Sequence, residues 1–277
     1  MREITSPTNS LIKVFRRSLE AGVTREGWLA VEGPLLLQEA VNASAASAEG
    51  REKRRAGCAC SVRSVLVARS AAGKFADLLA QIPSDTEVTE APDAVFESIV
   101  ATVTPQGIAA LVEVKVPELD CILNLPDLIL MVAFGLQDPG NLGTILRSAE
   151  ALGADGLVTL KPTVSPHNPK ILRASGGALF RLPVFPALAA ETFFARLRGA
   201  RIRLVAADRH GANSIAEADW SGPLAFLVGN EAAGLPLDIP PDDRVAIPLR
   251  PGIDSLNAAV AAGIFLYECA RRRGFHY

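Results

Sequence analysis

Three polar, glycine-containing turns gather the side chains of this chain that could do chemistry. The first, Gly135-Leu-Gln-Asp-Pro-Gly-Asn-Leu-Gly-Thr-Ile-Leu-Arg147, offers the amide of Asn141 and the guanidinium of Arg147. The second, Leu227-Val-Gly-Asn-Glu-Ala-Ala-Gly-Leu235, ends an apolar run at Gly229 and continues into Asn230 and the carboxylate of Glu231. The third, Ile247-Pro-Leu-Arg-Pro-Gly-Ile-Asp-Ser-Leu-Asn257, carries Ser255 and Asn257. Spacing excludes the common alternatives. The glycine interval of Gly135 and Gly140 is that of a phosphate-binding loop, but Asn141 and Leu142 stand where Lys and Ser/Thr are needed. No two glycines are separated by one residue, so the dinucleotide fingerprint is absent. No Gly-x-Ser-x-Gly elbow occurs either, which leaves nucleophilic hydrolysis without its serine.

The turns need elements to hold them. Residues 128–134, 156–160, 182–185, 202–206, 224–228 and 244–248 are short apolar runs, most of them separated by segments of helical length. Such alternation predicts a parallel sheet covered by helices, an α/β fold whose ligand sites lie in the loops beyond the strand carboxyl ends. Asn141 is positioned to cap a helix with the buried stripe Leu142, Ile145, Leu146, Ala149 and Leu152, and Arg147 falls off that stripe. Ser255 is positioned to cap the last helix, where Leu256, Val260, Gly263, Ile264 and Tyr267 form a stripe suited to a core or a dimer interface. The first half reads as a smaller α/β unit, with helices over 9–21 and 34–43 and strands over 64–68 and 108–114. The Pro-punctuated segment near Val116 and Pro117 sets the boundary, giving domains 1–117 and 118–277.

Composition narrows the class. With 277 residues, 49% of them apolar, the chain can bury a sizeable core. No apolar run has the ~20 residues that span a bilayer, and the amino terminus lacks the apolar core of a signal peptide, so the expectation is a cytoplasmic protein without a membrane span. Cys58, Cys60, Cys121 and Cys269 form no Cys-x-x-Cys pair, and His167, His210 and His276 are far apart, so no metal site is expected. The net charge of −2 conceals an asymmetry: residues 1–74 hold 12 Lys and Arg against 7 Asp and Glu, whereas 75–115 hold 1 against 7. The basic excess includes a run at Arg51, Lys53, Arg54 and Arg55 inside an Ala/Ser/Gly-rich stretch over 43–61, which suits a solvated loop or an RNA contact equally.

In order and distance the three turns resemble the signature motifs of the SpoU (TrmH) family of RNA ribose 2′-O-methyltransferases, within the SPOUT superfamily. Ser165-Pro166 and Arg173-Ala-Ser-Gly-Gly177 fit the same pattern, and Val31-Glu-Gly-Pro34 with Thr104-Pro-Gln-Gly107 looks like the substrate-binding amino-terminal domain of rRNA-directed members. The resemblance implies a carboxyl-terminal trefoil knot, a homodimer and S-adenosylmethionine as methyl donor. Donor contacts then fall to Gly229, Ile247 and Leu256, together with Leu227, Val228, Asn230 and Leu249. Asn141, Arg147, Glu231, Ser255 and Asn257 become the catalytic set. Within the family an Arg at the position of Arg147 is credited with activating the 2′-hydroxyl; a guanidinium stays protonated, so orientation and charge stabilisation are the roles its chemistry supports directly. The implied substrate is rRNA, with tRNA as the alternative, and a catalytically silent RNA-binding protein of the same fold is the reading from another class.

Overall fold

The computed structural model describes residues 2–48, 58–100, 102, 104–229 and 241–274. By internal contacts the chain divides into two compact units, one built mainly from residues before Lys115 and the other mainly from residues after Val116.

In the first unit five strands form a mixed sheet in the order β1-β4-β3-β5-β2. They are β1 (Arg2–Glu3), β2 (Leu29–Glu32), β3 (Ala59–Ala68), β4 (Glu87–Ala91) and β5 (Ile108–Lys115). Helices α1 (Ser10–Ala21), α2 (Pro34–Ala48), α3 (Arg69–Ala72), α4 (Ala76–Ala80) and α5 (Asp93–Glu97) join them. The Asn9 side chain caps α1, and Gly22, at φ +81°, closes it. A later segment, His167–Arg181, belongs to this unit as well. A Cβ on Gly22 would lie 1.6 Å from the His167 carbonyl oxygen, so only glycine fits there. Arg181 pairs with Glu39 at 2.7 Å. A single cut near residue 117 would leave this returning segment with the second unit, and these long-range contacts are invisible to local periodicity.

The second unit is a seven-stranded sheet in which every pairing is parallel. Its strands are β6 (Ile129–Phe134), β7 (Gly156–Leu160), β8 (Val184–Leu188), β9 (Arg203–Ala207), β10 (Asn213–Ser214), β11 (Leu224–Val228) and β12 (Asp243–Ala246), in the order β10-β12-β9-β11-β6-β7-β8. Its helices are α6 (Leu119–Leu123), α7 (Pro139–Ala151), α9 (Ala190–Gly199) and α10 (Ala258–Arg272), while α8 (Pro169–Ala174) lies in the returning segment and belongs to the first unit. Side chains on a strand alternate between faces. Leu130, Val132, Ala225 and Leu227 therefore join one buried cluster with Phe193, Phe194 and Leu197 of α9. Phe226 points the other way, onto α10, where its ring lies 6.3 Å from Phe265 and 5.5 Å from Trp220. Helices thus cover both faces, as the alternation of apolar runs predicts. At the far end of α10, Arg273 donates to the carbonyls of Trp220 (2.7 Å), Asp127 (2.8 Å) and Gly222, fixing the helix to the loops beneath it.

Truncating Phe265 removes the ring that joins α10 to the sheet. The expected cost of Phe265→Ala is about 3–5 kcal/mol, read as a lowered midpoint in denaturant unfolding followed by tryptophan fluorescence of Trp220.

Candidate active site at the carboxyl edge of the parallel sheet

Because all seven strands of the second sheet run in one direction, the turns that follow β6, β11 and β12 leave from the same edge. In the sheet order β11 lies beside β6, and β12 lies two strands beyond β11, with β9 between them. The three polar turns recognised in the sequence are those that follow these three strands.

The first turn enters α7. Asp138, not Asn141, is the cap: its carboxylate accepts the backbone N–H groups of Gly140 at 3.2 Å and Asn141 at 3.1 Å, and Pro139 takes the first helical position. Asp is a favoured cap and Pro is enriched at the first helical position, where its missing N–H costs nothing, which explains the shift of three residues from the expected cap. Asn141 therefore sits inside the first turn with its side chain free to reach elsewhere. Leu142, Ile145, Leu146 and Ala149 are buried as expected, and Arg147 is exposed.

The third turn enters α10, and here too the cap differs from expectation. Asn257 caps the helix, accepting through Oδ1 from Ala259 N at 2.9 Å and Val260 N at 3.3 Å. Ser255 lies two residues earlier, exposed in the loop. A Ser at the cap would need the helix to begin at Leu256, whereas Asn satisfies two backbone donors with one oxygen and leaves its NH2 for another partner. That partner is Asn141: Asn257 Nδ2 donates to Asn141 Oδ1 at 2.8 Å. Two turns 116 residues apart in sequence are joined by one side-chain bond.

The remaining predicted residues divide by burial. Gly229, Ile247, Leu249 and Leu256 are half-buried at the sheet edge. Leu227 and Val228 are buried, with relative exposures of 1% and 4%, and Leu227 belongs to the core on the α9 face. Neither side chain is free to wall a ligand, so either residue can contribute only its backbone. Asn230 and Glu231 lie outside the described residues. A glycine at the end of β11 and half-exposed aliphatic side chains after β12 are residue types that suit the adenosine part of an S-adenosylmethionine molecule, which needs close backbone approach and apolar walls.

Two supports escaped the sequence patterns. Asp208, at the end of β9, pairs with Arg244 at 2.5 Å. Burial would raise its pKa, but the backbone N–H of His210 and the Arg244 guanidinium outweigh that and hold it below the ordinary carboxylate value. Arg209 reaches Asp254 at 3.4 Å and so touches the loop before α10. Neither pair is sequence-local, and no motif announces them. The arginines at the end of α10 are committed as well: Arg271 and Arg272 hold Glu268 at 2.7 and 2.8 Å, and Arg273 holds the three carbonyls described above. The Cys269 thiol, pushed up to about 11 by burial, is a core group and not a nucleophile. Among the described residues no cluster of His, Cys, Asp and Glu is arranged to hold a metal. No helix among them is long and apolar enough to cross a membrane.

Comparison with known proteins decides between the chemistries open to such an edge. Residues 128–267 match the model of the SpoU rRNA Methylase family. The chain belongs to the SpoU rRNA methylase family. Among SpoU relatives, the 23S rRNA (uridine(2479)-2′-O)-methyltransferase of Streptomyces viridochromogenes is 35% identical over 207 residues, covering 72% of each chain. The SpoU methyltransferase AviRb from the same organism, solved in complex with AdoMet, superposes with a TM-score of 0.79 at 28% identity, covering 97% of this chain and 100% of the other. An AdoMet-bound rRNA methyltransferase from Sinorhizobium meliloti has a TM-score of 0.77 at 27% identity, covering 98% of both. The SPOUT-type parallel sheet with a smaller α/β unit before it is therefore the fold of this SpoU member.

The Arg271–Glu268–Arg272 cluster has a pH signature. The two guanidiniums lower the Glu268 carboxyl to about 2 from an ordinary 4.5. A depressed carboxylate stabilises the folded state above its unfolded pKa, and the contribution is lost as pH falls from about 4.5 towards 2. Glu268→Gln should therefore lower the melting temperature at pH 7 and flatten its acid dependence in that window, measured by thermal melts at stepped pH.

Proposed function

We propose that this SpoU family member transfers a methyl group from S-adenosylmethionine to a ribose 2′-hydroxyl of ribosomal RNA. One structural observation carries the reading: the Asn257–Asn141 bond closes two of the three signature turns onto each other at the carboxyl edge of the sheet. The relative that acts on the 2′-oxygen of a 23S rRNA uridine, and the neighbours solved with AdoMet, supply the substrate class and the donor.

Gly229, Ile247, Leu249 and Leu256 would hold the donor, with the backbone of Leu227 and Val228 beside them. When bound, it supplies an electrophilic methyl on a sulfonium. The chain contributes geometry and charge. Asn141 and Asn257 fix the floor of the site, and Ser255, Asn230 and Glu231 belong to the same turns. Arg147 lies further along α7 from Asn141, exposed and permanently charged. It engages the ribose and phosphate of the target nucleotide in a planar fork and offsets negative charge on the 2′-oxygen as the proton leaves. In-line approach of oxygen to methyl is a positioning problem, which favours a site built of amides and one guanidinium.

The first unit is the RNA-holding domain in this reading, and the site of action is the cytoplasm, where the ribosomal RNA is. The sheet order, with β12 beside β9 and α10 packed on α7, supports a carboxyl-terminal knot. The α10 stripe is not core within one chain: Val260 and Tyr267 are each 51% exposed, and Gly263 and Ile264 are half-buried. A second copy covering this stripe gives a homodimer.

Arg147→Ala should abolish transfer while leaving donor affinity within a few fold, a loss of roughly 10² to 10³ in rate. Single-turnover transfer of labelled methyl to ribosomal RNA from a strain lacking the enzyme, followed by nuclease digestion, reads the product. Unchanged turnover in Arg147→Ala would remove that residue from the site. Val260→Asp should shift the protein from dimer to monomer in light scattering; a variant as dimeric as the wild type would place the interface elsewhere.

A further inference from the structure

The bond between the two asparagines has a direction, and α10 sets it. Asn257 Oδ1 accepts from the backbone N–H groups of Ala259 and Val260. A backbone N–H can only donate, so the oxygen end of the Asn257 amide is pinned to the helix and its NH2 end must point away. That NH2 donates to Asn141 Oδ1 at 2.8 Å. Asn141 in turn has one oxygen and one NH2, so engaging the oxygen leaves the NH2 as its outward end. Its backbone is fixed independently, because Asp138 Oδ2 holds the Asn141 N–H at 3.1 Å. No partner for Asn141 Nδ2 is found among the described residues, and Asn141 is half-buried, so rotation is restricted.

We infer that Asn257 is a positioning residue that locks the amide polarity of Asn141, so that Asn141 presents a hydrogen-bond donor to an oxygen on the target nucleotide, its 2′-oxygen or its phosphate oxygen. The inference rests on the ribose chemistry proposed above. Its consequence is selectivity at one point: an acceptor oxygen is welcomed there, and the amino or imino donor of a base is not. A donor there also offsets charge on a nearby oxygen as the 2′-hydroxyl loses its proton.

The test uses substitutions that keep the cap and change only the polarity. Asp and Ser cap helices about as well as Asn. Asn257→Asp keeps Oδ1 on the helix, but its second oxygen faces Asn141, which must turn its NH2 inward and its oxygen out. Asn257→Ser keeps the cap and releases Asn141 without inverting it. Asn141→Asp leaves α10 untouched, accepts from Asn257, and offers an oxygen in place of the donor. All three are expected to fold and to bind the donor, with a small drop in melting temperature for Asn257→Ser, which gives up the bond to Asn141. In single-turnover transfer to ribosomal RNA from a strain lacking the enzyme, Asn257→Asp and Asn141→Asp should each lose on the order of 10² in kcat, with a smaller loss for Asn257→Ser. Wild-type kcat in either Asp variant, or equal loss in Asn257→Ser and Asn257→Asp, would overturn the assignment. Because the wild-type product is read in the same assay, a base-methylated product would sink the ribose reading by itself, apart from the polarity. Once the methylated nucleotide is mapped, a short RNA with 2′-deoxyribose at that nucleotide separates the two oxygens. If the 2′-oxygen is the partner, it binds the wild type more weakly than the ribose form, and Asn257→Asp erases the difference. If the phosphate is the partner, the two RNAs bind alike, and a phosphorothioate at that linkage weakens binding to the wild type only.

Discussion

One hydrogen bond, from Asn257 Nδ2 to Asn141 Oδ1, joins the starts of α7 and α10 at the carboxyl edge of the parallel sheet. It is made by a residue that also caps α10 and received by a residue in the first turn of α7. The starts of the two helices are therefore coupled: neither can shift without releasing a partner at the other. Both helices cover the same face of the sheet, and Phe265 of α10 packs on Phe226 of the central strand β11. The aromatic cluster sets the height of α10 above the sheet, Arg273 ties down its far end, and the asparagine pair sets where its near end meets α7.

The parallel sheet makes such a bond possible. Because β6, β11 and β12 run the same way, the turns after them leave one edge, which brings residues from the middle and the end of the chain to the same end of the sheet. The edge strand β10 is short, two residues, and is reached through a loop that Gly211 allows to pass close to β12: a Cβ there would lie 2.5 Å from the Arg244 carbonyl oxygen. The Asp208–Arg244 pair closes that crossing. Its Coulomb energy is modest at a partly exposed position, so its contribution is mainly to fix the direction in which the chain leaves β9.

Much of this was legible in the residues themselves. The six apolar runs of the second half overlap six of its seven strands; the signal is clearest for β6, β7 and β11, because a parallel strand buried on both faces is apolar throughout and shows as a continuous run. β10 escaped because two polar residues, one exposed and one half-buried, carry no pattern. In the first unit β4 was missed for a related reason: Glu87, Val88, Thr89, Glu90 and Ala91 mix polar and apolar side chains, with buried Thr89 lying among charged neighbours. The same unit gains His167–Arg181 through long-range contacts that no local signal records. At the candidate site the caps were misplaced. Asn141 and Ser255 both have good capping chemistry, yet Asp138 before Pro139 and Asn257 before a run of alanines compete for the same backbone donors and win. The misreading matters chemically, since freeing Asn141 from its capping duty is what allows it to meet Asn257.

The measurement that bears most directly on the central claim is mass-spectrometric mapping of ribose methylation in ribosomal RNA from a strain lacking this protein, compared with its parent and with the strain complemented by the wild-type chain. The account predicts that one 2′-O-methylated nucleotide present in the parent is absent from the deletion strain and returns on complementation. Loss of a methylated base in its place, or an unchanged set of ribose methylations in ribosomal RNA, would contradict it.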